Sequence, residues 1–213
     1  SFEKQRLRMV ETQITGRGIK DPRVIAAMKR IPRHLFTEEA LRSRAYDDCP
    51  LPIGEKQTIS QPYMVAAMSE ALELTGTESI LEVGTGSGYQ TAVLSQLARI
   101  VYSVERIEVF VQRVRKILAS LDIRNVVLKT GDGSLGWRSK APFDAILVTA
   151  GSPEVPRPLV EQLATEGRLV VPVGDRGTQS LLRVRKLASG ETKTESLVEC
   201  RFVDLQGAFG WPA

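Results

Sequence analysis

The run Leu81–Ala92, reading LEVGTGSGYQTA, narrows the possible folds more than any other stretch of the chain. A short apolar strand, Ser79–Val83, leads into three alternate glycines, Gly84, Gly86 and Gly88, and then a helical run over residues 89–98. Glycine adopts φ > 0 without penalty and, lacking a Cβ, lets a ligand approach the main chain closely. A strand, a glycine turn and a helix start together expose backbone N–H groups at the positive end of a helix dipole. That arrangement is a nucleotide-type cofactor site at the carboxyl edge of a parallel sheet.

The segments that follow fit such a sheet. Strands are expected at 100–104, 126–130, 143–149 and 168–173, with helices at 107–121 and 158–164. The run over 143–149 is almost continuously apolar, as a strand buried on both faces should be. After residue 175 the pattern changes to alternating segments, 180–187 and 195–205, separated by Ala188-Ser189-Gly190. These read as an antiparallel hairpin closing the sheet edge. The N-terminal 46 residues read as helical pieces: a stripe through Met9, Val10 and Ile14, a helix capped by Asp21 with Pro22 in its first turn, and a third opening at Thr37. Pro50, Pro52 and Gly54 mark an irregular segment, and Ser60-Gln61-Pro62 opens a helix running to about Leu74. The chain therefore reads as one α/β domain with a mostly parallel sheet, helices on both faces and a helical N-terminal extension.

The glycine spacing is G-x-G-x-G, one residue short of the dinucleotide fingerprint, which argues against a nicotinamide cofactor. Four further features point to S-adenosylmethionine. Glu82 precedes the turn, where a carboxylate can order the loop or meet a cationic ligand. Glu105 ends the second core strand, 17 residues past Gly88, where a carboxylate can accept both ribose hydroxyls. Asp132, between Gly131 and Gly133, ends the third strand within reach of an adenine amino group. Small residues, Thr149-Ala150-Gly151, end the fourth.

Composition excludes several classes. The formal charge of +4 is spread over scattered Lys and Arg residues, so no nucleic-acid partner is expected. No apolar run reaches the roughly 20 residues of a membrane helix. A single histidine, His34, leaves no histidine-rich metal site, and the two cysteines, Cys49 and Cys200, form no spaced motif and read as small buried apolar groups. His34 itself reads as a packing or hydrogen-bonding residue. A cytoplasmic, monomeric protein is expected.

Over nearly its whole length the chain resembles the bacterial type of protein-L-isoaspartate O-methyltransferase. The resemblance rests on the glycine motif and on PLPIGEKQTISQPYMVAAM (residues 50–68), which generic methyltransferases do not share. Residues 31–36, VYSVER (101–106), Gly131-Asp132-Gly133, FDAILVTAG (143–151), GRLVVPVG (167–174) and Arg201-Phe202-Val203 extend it.

The resemblance implies a Rossmann-like methyltransferase fold with seven strands, divided into an N-terminal helical and substrate-cleft segment (1–75), an S-adenosylmethionine-binding core (76–175) and a closing hairpin (176–213). It implies cofactor contacts from Glu82, Gly84, Thr85, Gly86, Ser87, Gly88, Glu105, Asp132, Gly133 and Thr149. The substrate would be the α-carboxylate of an isoaspartyl residue in a damaged protein or peptide. That group would be held by Thr58, Ile59 and Ser60 and by the backbone of Arg201, Phe202 and Val203. Ser60 is the expected catalytic residue, its hydroxyl donating to the substrate carboxylate. The competing reading makes Ser60 a plain helix N-cap worth about 1 kcal/mol. A methyltransferase acting on RNA or a small molecule is the alternative activity. The chain departs from the family at Glu55-Lys56 beside the substrate cleft and at Asp204, where members commonly carry proline.

Overall fold

A computed structural model describes residues 1–212. Helix α1 (Phe2–Met9) continues through a π-helical turn (Val10–Ile14) and a 3₁₀ turn (Thr15–Arg17) to Gly18, whose φ of 96° ends the run. Helix α2 (Pro22–Arg30) starts as expected, with the Asp21 carboxylate accepting the Arg23 amide at 2.8 Å. The third helix does not form from Thr37. Residues Arg33–Phe36 and Glu39–Arg44 make two 3₁₀ turns, and the Thr37 hydroxyl donates back to the His34 carbonyl.

Residues 50–54, expected to be irregular, belong to an antiparallel hairpin of β1 (Leu51–Gly54) and β2 (Gln57–Ile59), in which Leu51 pairs with Ile59. Glu55 and Lys56 form its two-residue turn with φ of 49° and 57°. Such turns ordinarily carry Gly or Asn because both central residues need positive φ. The unusual pair hid the hairpin. Helix α3 (Pro62–Ala71) follows, capped at Gln61 without a side-chain hydrogen bond, so Ser60 is not its N-cap.

The core comprises β3 (Ser79–Val83), α4 (Tyr89–Ser95), β4 (Ile100–Glu105), α5 (Glu108–Ser120), β5 (Val126–Thr130), β6 (Phe143–Val148), α6 (Arg157–Glu161), β7 (Leu163–Gly174), β8 (Gln179–Lys186) and β9 (Thr192–Cys200). Seven of these strands form one sheet in the order β5-β4-β3-β6-β7-β8-β9. Neighbours are parallel through β7, and β8 and β9 are antiparallel. This is the mostly parallel sheet with a closing hairpin that the sequence implied. Strand β9 ends at Cys200 rather than at 205, and the chain beyond it turns back across the sheet, bridging Asp204 to Gly151.

Alternation along the strands builds two cores. Ile80, Ala145, Leu147 and Val170 face one, with the N-terminal helices, while Leu81, Val83, Ile146, Val148 and Val171 face the other. Each fully buried aliphatic contributes about 1.5–3 kcal/mol, enough to fix the register of β3 against β4 and β6. The order reverses at β3, which opens a crevice between the carboxyl ends of β3 and β6, the place where such sheets hold ligands. Among the described residues no helix is long and apolar enough to cross a membrane.

Candidate active site

The crevice holds a cavity that opens to solvent. Its floor is the turn after β3, Gly84–Ser87. Glu105 at the end of β4, Thr149 just past β6 and Gly133 in the segment after β5 complete it. The Thr58–Ser60 segment walls one side, and the returning segment Val203–Gln206 closes over it.

The turn is built for glycine. Gly84 has φ of 96°, and a Cβ there would lie 2.5 Å from the Thr149 hydroxyl. That hydroxyl cannot retreat, because it donates to the carbonyls of Gly84 (2.6 Å) and Val83 (3.1 Å). Gly88 has φ of 84°, and its missing Cβ makes room for Val114 of α5, so it shapes the turn from behind and does not line the cavity. Gly133 fits closely against Val83 in the same manner. We predict that Gly84→Ala weakens S-adenosylmethionine binding about tenfold and lowers stability by about 1–2 kcal/mol from the positive φ alone. Calorimetric titration checks the first and urea unfolding the second; an unchanged dissociation constant would show that the turn does not shape the site.

The acids at the strand ends separate into three roles. The Glu105 carboxylate lines the cavity; its oxygens accept the amides of Gly86 (2.8 Å) and Ile107 (2.9 Å), which leaves each a further lone pair for vicinal hydroxyls. Asp132 does not line the cavity. One oxygen accepts the Ser134 amide and hydroxyl, and the other accepts the Ala208 amide at 2.8 Å, so Asp132 ties the C-terminal segment down beside the site. Glu82 lies beneath the turn, fully buried and outside the cavity. Its Oε2 accepts the hydroxyls of Thr91 (2.5 Å) and Ser103 (2.7 Å), and its Oε1 has no partner among the described residues. Burial is the main cause that pushes its carboxyl up to about 8; the two hydroxyls oppose the rise, and nearby Glu105 adds to it. Ser103 in turn meets the Thr85 hydroxyl at 2.6 Å, so Glu82 touches the cavity wall only through two hydroxyls.

The substrate-side expectations divide in the same way. Thr58, Ile59, Ser60 and Val203 line the cavity; Arg201 is exposed outside it, and Phe202 packs against the core, its amide donating to Gln179 at 2.8 Å. The Ser60 side chain is half-buried and makes no hydrogen bond among the described residues. His34 stands away from the cavity, stacked on Phe2 with its Nδ1 2.8 Å from the Tyr46 hydroxyl. The cysteines are half-buried, and burial pushes the Cys200 thiol up to about 11.

Sequence reasoning missed several lining residues. Gln57, Gln90, Arg106 and Leu205 carry no chemical signal of their own. Tyr89 follows the glycine turn directly; it lines the cavity, with its ring 5.0 Å from the buried Arg33 guanidinium. Asp204 lines the cavity as well.

The cradle fits a nucleoside cofactor: a turn that excludes side chains at Gly84, beside a carboxylate with free lone pairs at Glu105. Comparison with known proteins agrees. The family described as protein-L-isoaspartate(D-aspartate) O-methyltransferase matches residues 4–209. A protein-L-isoaspartate O-methyltransferase from Syntrophus aciditrophicus is 58% identical over 212 residues, covering 99% of this chain and 97% of its own. One from Geotalea uraniireducens is 60% identical over 206 residues, covering 97% and 95%. A solved Plasmodium falciparum structure described as a protein-L-isoaspartate O-methyltransferase, in complex with S-adenosyl-L-homocysteine, superposes with a TM-score of 0.80 at 26% identity, covering 94% of this chain and 98% of that one. This chain therefore belongs to the protein-L-isoaspartate(D-aspartate) O-methyltransferase family.

Proposed function

We propose that this protein transfers a methyl group from S-adenosylmethionine to the free α-carboxylate of L-isoaspartyl residues in damaged proteins and peptides. The methyl ester would then close to a succinimide, whose hydrolysis returns some normal aspartate. The observation that carries this reading is that one cavity joins the glycine turn, Gly84–Ser87, to the Thr58–Ser60 segment.

When bound, S-adenosylmethionine supplies an electrophilic sulfonium methyl. Gly84, Thr85, Gly86 and Ser87 would hold it at the turn, with Gly133 and Thr149 beside them, and Glu105 would accept its ribose hydroxyls. Glu82, Gly88 and Asp132 support that site from outside it. The acceptor needs no deprotonation, because an α-carboxylate with an ordinary pKa of about 3.5 is already ionised at neutral pH. The chain's task is therefore orientation, which can supply roughly 7–11 kcal/mol of a barrier. Ser60 would donate its hydroxyl to one carboxylate oxygen and leave the other facing the methyl donor. Thr58 and Ile59 would fix the acceptor's backbone on one side, and Val203 with its neighbours Arg201 and Phe202 on the other. The enzyme in this reading is a cytoplasmic monomer whose partners are isoaspartyl proteins and peptides, not nucleic acid.

The test is methyl transfer from radiolabelled S-adenosylmethionine to paired peptides carrying isoaspartate or aspartate at one position. Base-labile label on the isoaspartyl peptide alone is the expected result. Equal labelling of both, or label on bulk RNA only, would refute the reading.

A further inference from the structure

We propose that Asp204, backed by Arg176, reads the charge of the residue flanking the isoaspartyl site and favours a cationic neighbour. The inference rests on the reading above that isoaspartyl peptides are the substrate.

Asp204 and Ser60 line the same cavity, at the mouth formed by the returning C-terminal segment. Its backbone is pinned on both sides: the Gly151 amide donates to the Val203 carbonyl at 2.7 Å, and the Leu205 amide donates to the Gly151 carbonyl at 2.8 Å. The backbone of Asp204 is therefore held at a fixed place in the cleft wall. Its Oδ2 lies 2.9 Å from Arg176 Nε, while Oδ1 is engaged by nothing among the described residues.

Arg176 does not line the cavity. It sits on the β7–β8 turn, which Asp175 orders by accepting the amides of Gly177 and Thr178, and its guanidinium lies 4.8 Å from the Trp211 ring centroid. The pair therefore has its anionic partner in the cavity lining and its cationic partner outside it. The other charged groups lining the cavity are Glu105, which this reading assigns to the cofactor's ribose hydroxyls, and the exposed Arg106 just after β4. Asp204 is the one charged residue among Val203–Gln206, so a substrate side chain seated against the returning segment meets an anion.

The experiment uses isoaspartyl peptides identical except for Lys, Ala or Glu immediately before or after the damaged residue. Wild type, Asp204→Asn and Arg176→Ala are compared by steady-state kinetics, with folding of each variant checked by thermal melting. For wild type, kcat/KM should fall in the order Lys, Ala, Glu on at least one side. The expected span is about fivefold, the scale of a partly exposed ion pair, carried by KM and narrowed by salt. Arg176→Ala should widen the span by leaving the carboxylate uncompensated. Asp204→Asn should abolish or reverse it by leaving Arg176 unpaired, with cofactor affinity unchanged by calorimetry. A wild-type span below about twofold on both sides, or an Asp204→Asn variant that keeps the wild-type order, overturns this inference alone. Failure of wild type to methylate the alanine peptide overturns the substrate reading, and this inference falls with it.

Discussion

Ser60→Ala should lower kcat/KM for an isoaspartyl peptide on the order of a hundredfold while leaving the melting temperature almost unmoved. A hydrogen bond to a charged group is worth about 1.5–3 kcal/mol, and losing the group that orients a reacting oxygen adds misalignment to that loss. The stability half of the prediction comes from local geometry. Helix α3 is capped at Gln61 without side-chain help, and the Ser60 hydroxyl has no partner within the described residues, so alanine removes no internal hydrogen bond. Surface substitutions of that kind usually shift stability by no more than about 0.5 kcal/mol. The competing N-cap role predicts the reverse: about 1 kcal/mol of lost stability with turnover per folded molecule intact. Melting curves and single-turnover rates on the same preparation separate the two. Ser60→Thr, which keeps a hydroxyl on the same backbone, should recover part of the rate; if it recovers none while Ser60→Ala is fully active, the hydroxyl has no part in the reaction.

The βα core was legible because buried parallel strands leave nearly unbroken apolar runs, and β3 and β5 fall where those runs lie. The glycine turn was legible because it needs glycines that nothing else in a strand–helix unit requires. The acids were harder to read, since a sequence shows that a carboxylate ends a strand but not which way it faces or what claims it. Glu82 shares the face of Ile80, which alternation turns toward α4 and away from the crevice, and there Thr91 receives it. Asp132 is claimed by an amide 76 residues further on, a long-range contact with no local signature. The β1–β2 hairpin escaped notice because Glu55 and Lys56 occupy a turn whose backbone normally advertises itself with glycine or asparagine. The sequence pattern runs past the end of β9 at Cys200 because Val203 and Leu205 keep an apolar alternation there, although Gly207 and Gly210 break it soon afterwards.

Glu82 gives the second large effect, on stability and its dependence on pH. In the unfolded chain its carboxyl has the ordinary value of 4.5; in the folded protein, burial pushes it up to about 8. The folded state therefore holds this proton more tightly than the unfolded state. Its contribution is most favourable below 4.5 and is lost progressively as pH rises toward 8. Between about pH 6.5 and about pH 8 the loss amounts to on the order of 2 kcal/mol. Other buried groups leave that window nearly clear. His34, lowered by burial and by Arg6 and Arg42, acts below its ordinary 6.5, and Cys200 acts above its ordinary 9.0. Glu82→Gln removes the titration and keeps a carbonyl oxygen to accept from Thr91 and Ser103; its amide nitrogen replaces an oxygen that already lacks a partner. Urea unfolding from pH 6.5 to pH 8 should therefore show a falling stability for wild type and a nearly flat one for the variant. From pH 6.5 to pH 8 the variant's melting temperature should gain roughly 5 °C on that of wild type, the scale set for a chain of this size. Parallel stability profiles for the two proteins would mean that Glu82 is ionised in the fold throughout, and that its buried charge is compensated by something other than the two hydroxyls beside it.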